Sequence, residues 1–368
     1  MAVETTDMTI VIAGGGTGGH LFPGISVAEA ILARRPGTTI LFVGTGRPVE
    51  TKALAGKPYA YRVLRTPRLE RSLNPLNLLL PFRFAAAIWR AGRLLGEFQA
   101  RLVIGTGGYG SAPVVAAARL KRIPAVILEQ NIIPGLTNRL VSRLADLACL
   151  AFEPSRALLA PRVRSVVTGN PVRKITDRNN GRSARTSLGL KPERFTVFVF
   201  GGSQGAKRLV EAAAAALPLL VAEDMQLVIQ TGDDAKLETP PEWEGRLLVK
   251  PFFAEIYDCY RAADLVVCRA GGGVAEVLAF GKPMILVPYP FAAHNHQHRN
   301  AVYLEQEGAA EIAEDGAFDG RKFAEMVNGF ATDAGKRERM ARASRELGRP
   351  DAADQVAREA LVLAGVPR

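Results

Sequence analysis

His20 is the residue of this chain best placed to move a proton. It closes the run Gly14-Gly15-Gly16-Thr17-Gly18-Gly19-His20, which follows the apolar stretch Ile10–Ala13. An imidazole titrates near neutrality and acts as a general base when it faces a reacting hydroxyl. A glycine turn lets backbone N–H groups approach an anion, and a helix starting behind it adds the positive end of its dipole. Further turns of this kind are Gly44-Thr45-Gly46, Gly105-Thr106-Gly107-Gly108-Tyr109-Gly110, Gly201-Gly202-Ser203-Gln204-Gly205 and Arg269-Ala270-Gly271-Gly272-Gly273. Their presence in both halves points to a phosphorylated ligand held in a cleft between two domains.

Polar side chains surround these turns. Glu129-Gln130-Asn131 leaves the apolar run Ala125–Leu128, and Gly135-Leu136-Thr137-Asn138 opens the next helix. Carboxylates and amides at the carboxyl edge of a parallel sheet suit sugar hydroxyls, which need donors and acceptors alike. Helix capping accounts equally well for Asn131 or Asn138. Ser203 offers a hydroxyl to a phosphate, and Arg173 a guanidinium to the same diphosphate. Gly271-Gly272-Gly273-Val274-Ala275-Glu276 opens another helix. Its N-terminus suits a departing phosphate, and Glu276 suits a ribose diol or simple capping.

Two tempting readings fail on residue type. Gly14-x-Gly16-x-x-Gly19 matches the dinucleotide fingerprint, but Val43 runs into Gly44-Thr45-Gly46 where the ribose-binding acid is expected. That argues against a nicotinamide cofactor. His294-Asn295-His296-Gln297-His298 holds three of the four histidines, without a carboxylate or cysteine beside them. It reads as a polar sugar-recognition segment heading a helix over Gln297–Gln306, and no metal is expected.

The elements that must carry these residues alternate. Strands are expected at Thr9–Ala13, Thr39–Val43, Leu102–Ile104, Ala125–Leu128, Leu147–Leu150 and Ser165–Val167, with a helix over Gly24–Arg34 after the first. Gly169-Asn170-Pro171 stops the pattern, and the polar stretch Asp177–Ser187 reads as loop or linker. The rhythm resumes with strands at Phe195–Phe200, Gln226–Ile229, Arg246–Val249, Leu265–Val267 and Met284–Val287, each followed by a helix. From Gly320 the chain is helical nearly to its end, with Asp351 capping a last helix that reaches back to the first domain. This is the rhythm of parallel sheets wrapped by helices.

At 368 residues two domains are expected. The net charge of +11 is lopsided: residues 1–170 carry 21 Lys+Arg against 9 Asp+Glu, and the remainder nets −1. The first half therefore favours an anionic partner, either a membrane surface or a diphosphate substrate. Its basic residues lack interleaved aromatics, so nucleic acid is not expected. Leu73–Leu95, apolar with Arg83, Arg90 and Arg93, reads either as a core helix with a solvated face or as a surface dipping into anionic headgroups. No run is long enough to span a bilayer, no secretory signal is evident, and the three scattered cysteines fit a reducing cytoplasm.

Taken together, Gly15–Gly24, Gly107-Gly108-Tyr109, Glu129-Gln130-Asn131, Gly135–Asn138, Gly169-Asn170-Pro171-Val172-Arg173, Gly201–Ala206 and His296-Gln297 resemble, in the same order and over nearly the whole chain, the MurG family of glycosyltransferases. The resemblance implies an α/β GT-B fold, two Rossmann-like doubly wound domains facing a central cleft. It assigns 1–170 to acceptor binding and membrane association, 171–350 to the UDP-sugar, and 351–368 to a helix crossing back.

The implied activity is inverting transfer of N-acetylglucosamine from UDP-N-acetylglucosamine to the 4-hydroxyl of undecaprenyl-diphospho-muramoyl-pentapeptide, in peptidoglycan synthesis. It would take place peripherally at the cytoplasmic face of the membrane and use no cofactor. Thr17, Gly18, Gly19, Asn131, Arg173, Ser203, Gly272, Gly273, Val274, Ala275, Glu276 and Gln297 are implied donor contacts, and Phe253 is implied to read uracil through its backbone. His20, Tyr109, Glu129, Asn138, Arg269 and His296 match other polar positions of the family site, with His20, or else Glu129, as base. Leu128 stands where many relatives carry histidine, which removes one rival to His20. Competing readings are another UDP-sugar enzyme of this fold, a nicotinamide-dependent oxidoreductase and a non-catalytic sugar-nucleotide-binding protein.

Overall fold

The computed structural model describes residues 8–67, 79–175, 180–202, 207–220, 225–232 and 237–366. The chain divides into two compact units, Met1–Lys174 with Asp351–Arg368, and Ile175–Pro350.

In the first unit the strands are β1 (Met8–Gly14), β2 (Thr38–Gly44), β3 (Ala60–Val63), β4 (Ala100–Gly107), β5 (Ala125–Glu129), β6 (Leu147–Leu150) and β7 (Arg164–Val167). They form one parallel sheet in the order β3-β2-β1-β4-β5-β6-β7. Helices α1 (Gly18–Arg34), α2 (Pro48–Leu54), α3 (Leu80–Glu97), α4 (Ala112–Leu120) and α5 (Leu136–Val141) fill the crossovers. Because both faces are covered, the strands read as continuous apolar runs. Alternate residues still separate cleanly. Val11, Ala13, Leu41, Val43 and Val103 pack with Ala91, Leu95 and Val115 of α3 and α4. Ile10, Ile12, Ile40, Phe42 and Ile104 pack on the opposite face with Ile25 and Ile31 of α1.

The second unit repeats the plan. Helix α6 (Gly181–Ser187) precedes β8 (Phe195–Phe200), α7 (Lys207–Ala216), β9 (Met225–Gln230), β10 (Leu247–Lys250), α8 (Ile256–Ala262), β11 (Leu265–Cys268), α9 (Val274–Ala279), β12 (Met284–Leu286), α10 (His296–Gln306), β13 (Glu311–Ile312), α11 (Gly320–Thr332) and α12 (Ala334–Leu347). Its parallel sheet runs β10-β9-β8-β11-β12-β13. The last helix, α13 (Ala352–Leu363), belongs to the first unit.

Several local expectations need correction. Helix α1 begins at Gly18, not at Gly24, and carries Pro23 inside it. The stretch expected as linker becomes helix from Gly181, because Asn180 Oδ1 accepts from Ser183 N at 3.0 Å. That helix is anchored by Arg185, which is buried and donates to the carbonyls of Ala262 and Pro192 and to Asp264. Between β9 and β10 the described residues hold a 3-10 turn at Pro241–Trp243, not an α-helix, and Trp243 plugs the core there. The half-exposed edge strand β3 and the two-residue β13 escape sequence patterning. Asp351 occupies the N-cap position of α13, but its carboxylate accepts from Gln355 Nε2 at 2.6 Å and caps no backbone amide.

Apolar burial holds α13 in place. Val356, Ala357, Ala360 and Leu361 join the core cluster of Ile10 and Ile31, and the ion pairs Arg34–Asp354 and Arg164–Glu359 lie at its solvent margins. Exposed ion pairs contribute little, whereas deleting a buried leucine side chain is costly. Leu361→Ala is expected to lower unfolding free energy by about 2–4 kcal/mol, and Arg34→Ala by less than about 1 kcal/mol, as read by urea denaturation. The reverse ranking would assign the docking to charge.

Candidate active site

The strand order of the first unit reverses at β1 and β4, so the loops leaving them diverge and open a crevice at their carboxyl ends. The loop after β1 is shaped by an internal carboxylate. Glu50, 1% exposed, accepts from Gly16 N at 2.6 Å, Thr45 N at 2.9 Å, Gly46 N at 2.8 Å, Thr45 Oγ1 at 2.8 Å and Tyr61 Oη at 2.6 Å. Burial pushes the Glu50 carboxyl up, but these donors outweigh it and its pKa falls below the usual 4.5. The chain passes so close that a Cβ on Gly15, at φ +141°, would stand 2.2 Å from Glu50 Oε1. Glu50 thus ties the first glycine turn, through Gly16 N, to the loop after β2 and to β3. Its position, six residues beyond the end of β2, gave no sequence signal.

Behind this loop α1 presents His20. The Nδ1 atom lies 3.1 Å from the carbonyl oxygen of Thr106. A carbonyl only accepts, so this contact puts the proton of the neutral ring on Nδ1 and the lone pair on Nε2. The ring rests against the next glycine turn: a Cβ on Gly107, at φ +103°, would sit 2.8 Å from Nδ1. Gln130 Nε2 donates to the same Thr106 carbonyl at 2.7 Å. Its Oε1 is buried and, among the described residues, has no hydrogen-bond partner. Gln130 was visible in the sequence only as the middle of Glu129-Gln130-Asn131. Thr17 and Tyr109 are half-buried, Gly18 is buried, and Gly19 is exposed on these two loops.

Glu129 is hydrogen-bonded within its own loop. Its Oε1 accepts from Asn131 N at 2.9 Å and Asn131 Nδ2 at 3.2 Å, and its Oε2 from Gly135 N at 3.1 Å and Asn138 Nδ2 at 2.9 Å. It is 2% exposed, and burial pushes its carboxyl up against the pull of those donors. Asn138, also buried, donates further to Leu128 O at 2.8 Å. Both side chains are committed to holding the 129–138 loop and do not face solvent.

In the second unit the loop after β11 gathers Arg269, Glu276 and Gln297. Arg269 Nη1 donates to Val287 O at 2.9 Å and Asp315 Oδ1 at 2.5 Å. Gln297 Oε1 accepts from Tyr289 N at 2.9 Å, and Asn300 Nδ2 donates to Ala270 O at 3.2 Å. Tyr260 Oη donates to Glu276 Oε2 at 2.8 Å. The N–H groups of Val274, Ala275 and Glu276 donate to the carbonyls of Gly271, Gly272 and Gly273. Helix α9 is only six residues long. These three N–H groups are thus used within the first turn of the helix. Phe253 is buried, and its N–H donates to Gln230 Oε1 at 3.2 Å. His296 Nδ1 turns to Ala293 O at 2.8 Å, behind the left-handed pair His294 and Asn295. Arg173 is half-buried in the first unit. Ser203 lies outside the described residues.

Comparison with known proteins places these features in context. Residues 10–149 match the glycosyltransferase family 28 N-terminal domain and residues 196–356 its C-terminal domain. The chain is 38% identical over 370 residues to a UDP-N-acetylglucosamine–N-acetylmuramyl-(pentapeptide) pyrophosphoryl-undecaprenol N-acetylglucosamine transferase of Desulforudis audaxviator, covering 95% of this chain and 96% of that protein. It is 39% identical to the protein of the same description from Geotalea uraniireducens, covering 96% and 97%. Among solved structures, Acinetobacter baumannii MurG aligns with a TM-score of 0.74 at 27% identity, covering 96% of this chain and 99% of that one. The calicheamicin glycosyltransferase CalG4, at 18% identity and a TM-score of 0.68 over 97% and 99% of the two chains, shares the fold.

The Glu50 network carries its own test. A carboxylate whose folded pKa is depressed stabilises the fold above its unfolded pKa, and that stability is lost as pH falls through the folded value. Glu50→Gln is expected to cost about 1–3 kcal/mol at pH 7, and the gap to the parent should close below the ordinary carboxylate pKa of 4.5. Urea melts at pH 7 and in acid read this. A pH-independent gap would rule out the charged network.

Proposed function

The chain belongs to glycosyltransferase family 28 and, within it, to the MurG family, and from that premise we propose how its residues divide the work of the reaction. It is a transferase of the two-domain α/β GT-B architecture. It moves N-acetylglucosamine from UDP-N-acetylglucosamine to the lipid-linked muramoyl-pentapeptide acceptor, the step for which its relatives are named. In our reading transfer is a single inverting displacement. The 4-hydroxyl of the muramoyl sugar attacks the anomeric carbon, and the bond to UDP breaks with its electron pair leaving on the diphosphate.

The observation that carries this reading is the Nδ1 contact of His20 with Thr106 O. It orients the ring with the Nε2 lone pair as proton acceptor for that hydroxyl. The second unit supplies the uridine and diphosphate contacts: Phe253, the turn at Gly272 and Gly273, Glu276 and Gln297. Arg173, Thr17, Gly18, Gly19, Asn131 and Ser203 join the donor contacts on the strength of the family motif. Preorganised amides and guanidinium groups stabilise charge gathering on departing UDP. Arg269 orients this site through Asp315 and Val287 O.

We further assign α3 to the membrane surface. It buries only Ala87, Ala91 and Leu95, while Leu79, Phe82 and Trp89 are exposed beside Arg83, Arg90 and Arg93. Apolar and cationic groups on one exposed surface suit anionic headgroups. Among the described residues no helix is long and apolar enough to cross a membrane. The protein is read as peripheral, at the cytoplasmic face.

The test is radiolabelled sugar transfer from UDP-N-acetylglucosamine to the lipid-linked muramoyl acceptor, with and without a chelator. His20→Ala is expected to lower kcat about a hundredfold to ten-thousandfold, with donor affinity kept within a few-fold and the parent rate unmoved by the chelator. Near-normal turnover by His20→Ala would remove it as the base.

A further inference from the structure

Gln130 is 9% exposed, and its amide is bonded at one end only. Nε2 donates to the carbonyl oxygen of Thr106 at 2.7 Å. That oxygen can only accept, so the amide must present its nitrogen there and turn Oε1 the other way. Oε1 is closed to solvent and, among the described residues, receives no hydrogen bond. A buried acceptor in that state is destabilising. A methionine of similar length would fill the same space without an unpaired oxygen. Thr106 O would still accept from His20 Nδ1. Packing alone therefore gives little reason for glutamine at this position.

The unpaired oxygen lies beside the proposed base. A Cβ on Gly107 would stand 2.8 Å from His20 Nδ1, 3.0 Å from its Cε1 and 3.3 Å from Gln130 Oε1. The edge of the imidazole and the amide oxygen thus border one small space, open because residue 107 has no side chain. A ring that takes a proton becomes a cation. In a half-buried setting, the negative end of an amide dipole lowers the energy of that cation more than that of the neutral ring. The charged and titratable groups on the segments packed around the ring are Tyr109 on the turn after β4, Glu129 ahead of Gln130, Glu50, and Arg47, whose Nη1 donates to Gly16 O at 2.8 Å. Both carboxylates are hydrogen-bonded to loop amides. On α1 itself, Glu29 and Arg34 lie toward the far end of the helix. A change at Gln130 removes none of these groups.

We propose that Gln130 is a positioning residue for the transfer: Nε2 fixes the Thr106 carbonyl that orients His20, and Oε1 stabilises the imidazolium formed as Nε2 of His20 takes the proton of the attacking hydroxyl. The destabilisation borne by the resting protein is offset only when the ring is charged. This rests on reading His20 as the base.

Gln130→Met and Gln130→Glu test it. The full-length protein has four histidines, and the Cε1–H resonance lost in His20→Ala identifies His20 in a magnetic-resonance titration. Gln130→Met is expected to lower the pKa of His20 by about one unit. The acid limb of kcat should move to lower pH by the same amount, because the base works in its neutral form. The plateau kcat should fall about threefold to tenfold, with donor and acceptor KM within about twofold of the parent. The unfolding midpoint should equal or exceed the parent's, since the unpaired oxygen is gone. Gln130→Glu keeps an oxygen beside the ring and should hold the His20 pKa at or above the parent's.

A His20 pKa that is unmoved or raised in Gln130→Met would overturn the proposal, whatever the activity. If that variant folds poorly, the glutamate variant decides: a pKa below the parent's overturns the proposal too. Near-normal turnover by His20→Ala sinks the base reading and the catalytic part of the proposal with it. That outcome is distinct from an inactive His20→Ala beside a Gln130→Met of unmoved pKa, which sinks the role of Gln130 alone.

Discussion

The N-terminal unit is organised around one buried negative charge. Glu50 gathers amides from the loops after β1 and β2, the hydroxyl of Thr45 and the phenol of Tyr61 on β3. Buried donors left unpaired are costly, and charge-assisted bonds are the strong ones. This carboxylate therefore sets the path of the first glycine turn, the start of α1 and with it the place of His20. Of the first turn only Gly16 N reaches this carboxylate; its other amide donors lie on the loop after β2.

Glu129 plays a parallel part on the other side of the crevice. It is satisfied by Asn131, Gly135 and Asn138, which belong to the loop it stabilises. Two buried carboxylates thus each hold a loop of the first unit in place. Burial makes the donors around each carboxylate necessary, because an ionised group away from water is costly unless it is hydrogen-bonded. Gln130 shares the Thr106 carbonyl and closes the wall behind the His20 ring.

The C-terminal unit uses the same sheet plan with different means. Its glycine turn after β11 packs on a cluster of rings, Phe198, Phe200, Tyr260 and Phe280, and Tyr260 fixes Glu276 through its hydroxyl. Arg269 is tied to Asp315 and Val287, so it shapes the loop ahead of α10. The left-handed residues His294 and Asn295 sit in that loop, where unfavourable backbone conformations tend to collect at functional sites.

Much of this was legible from the chain alone. Runs such as Ile10–Ala13 and Phe195–Phe200 declare buried parallel strands because both faces of those sheets are covered. The ordered motifs from Gly15 to Gln297 carried the family. What sequence could not declare were the contacts between distant segments. Asp177–Ser187 looked like linker because its polarity hid a helix anchored by one buried arginine. The bonds of Glu129 to Asn131, Gly135 and Asn138 were not legible either, because a polar type at a loop says nothing of where its side chain turns. Glu50 carried no signal. Local patterning fixes which residues are apolar and where the backbone bends. Only tertiary packing decides which polar groups are spent on each other and which remain for a substrate, because that depends on partners remote in sequence.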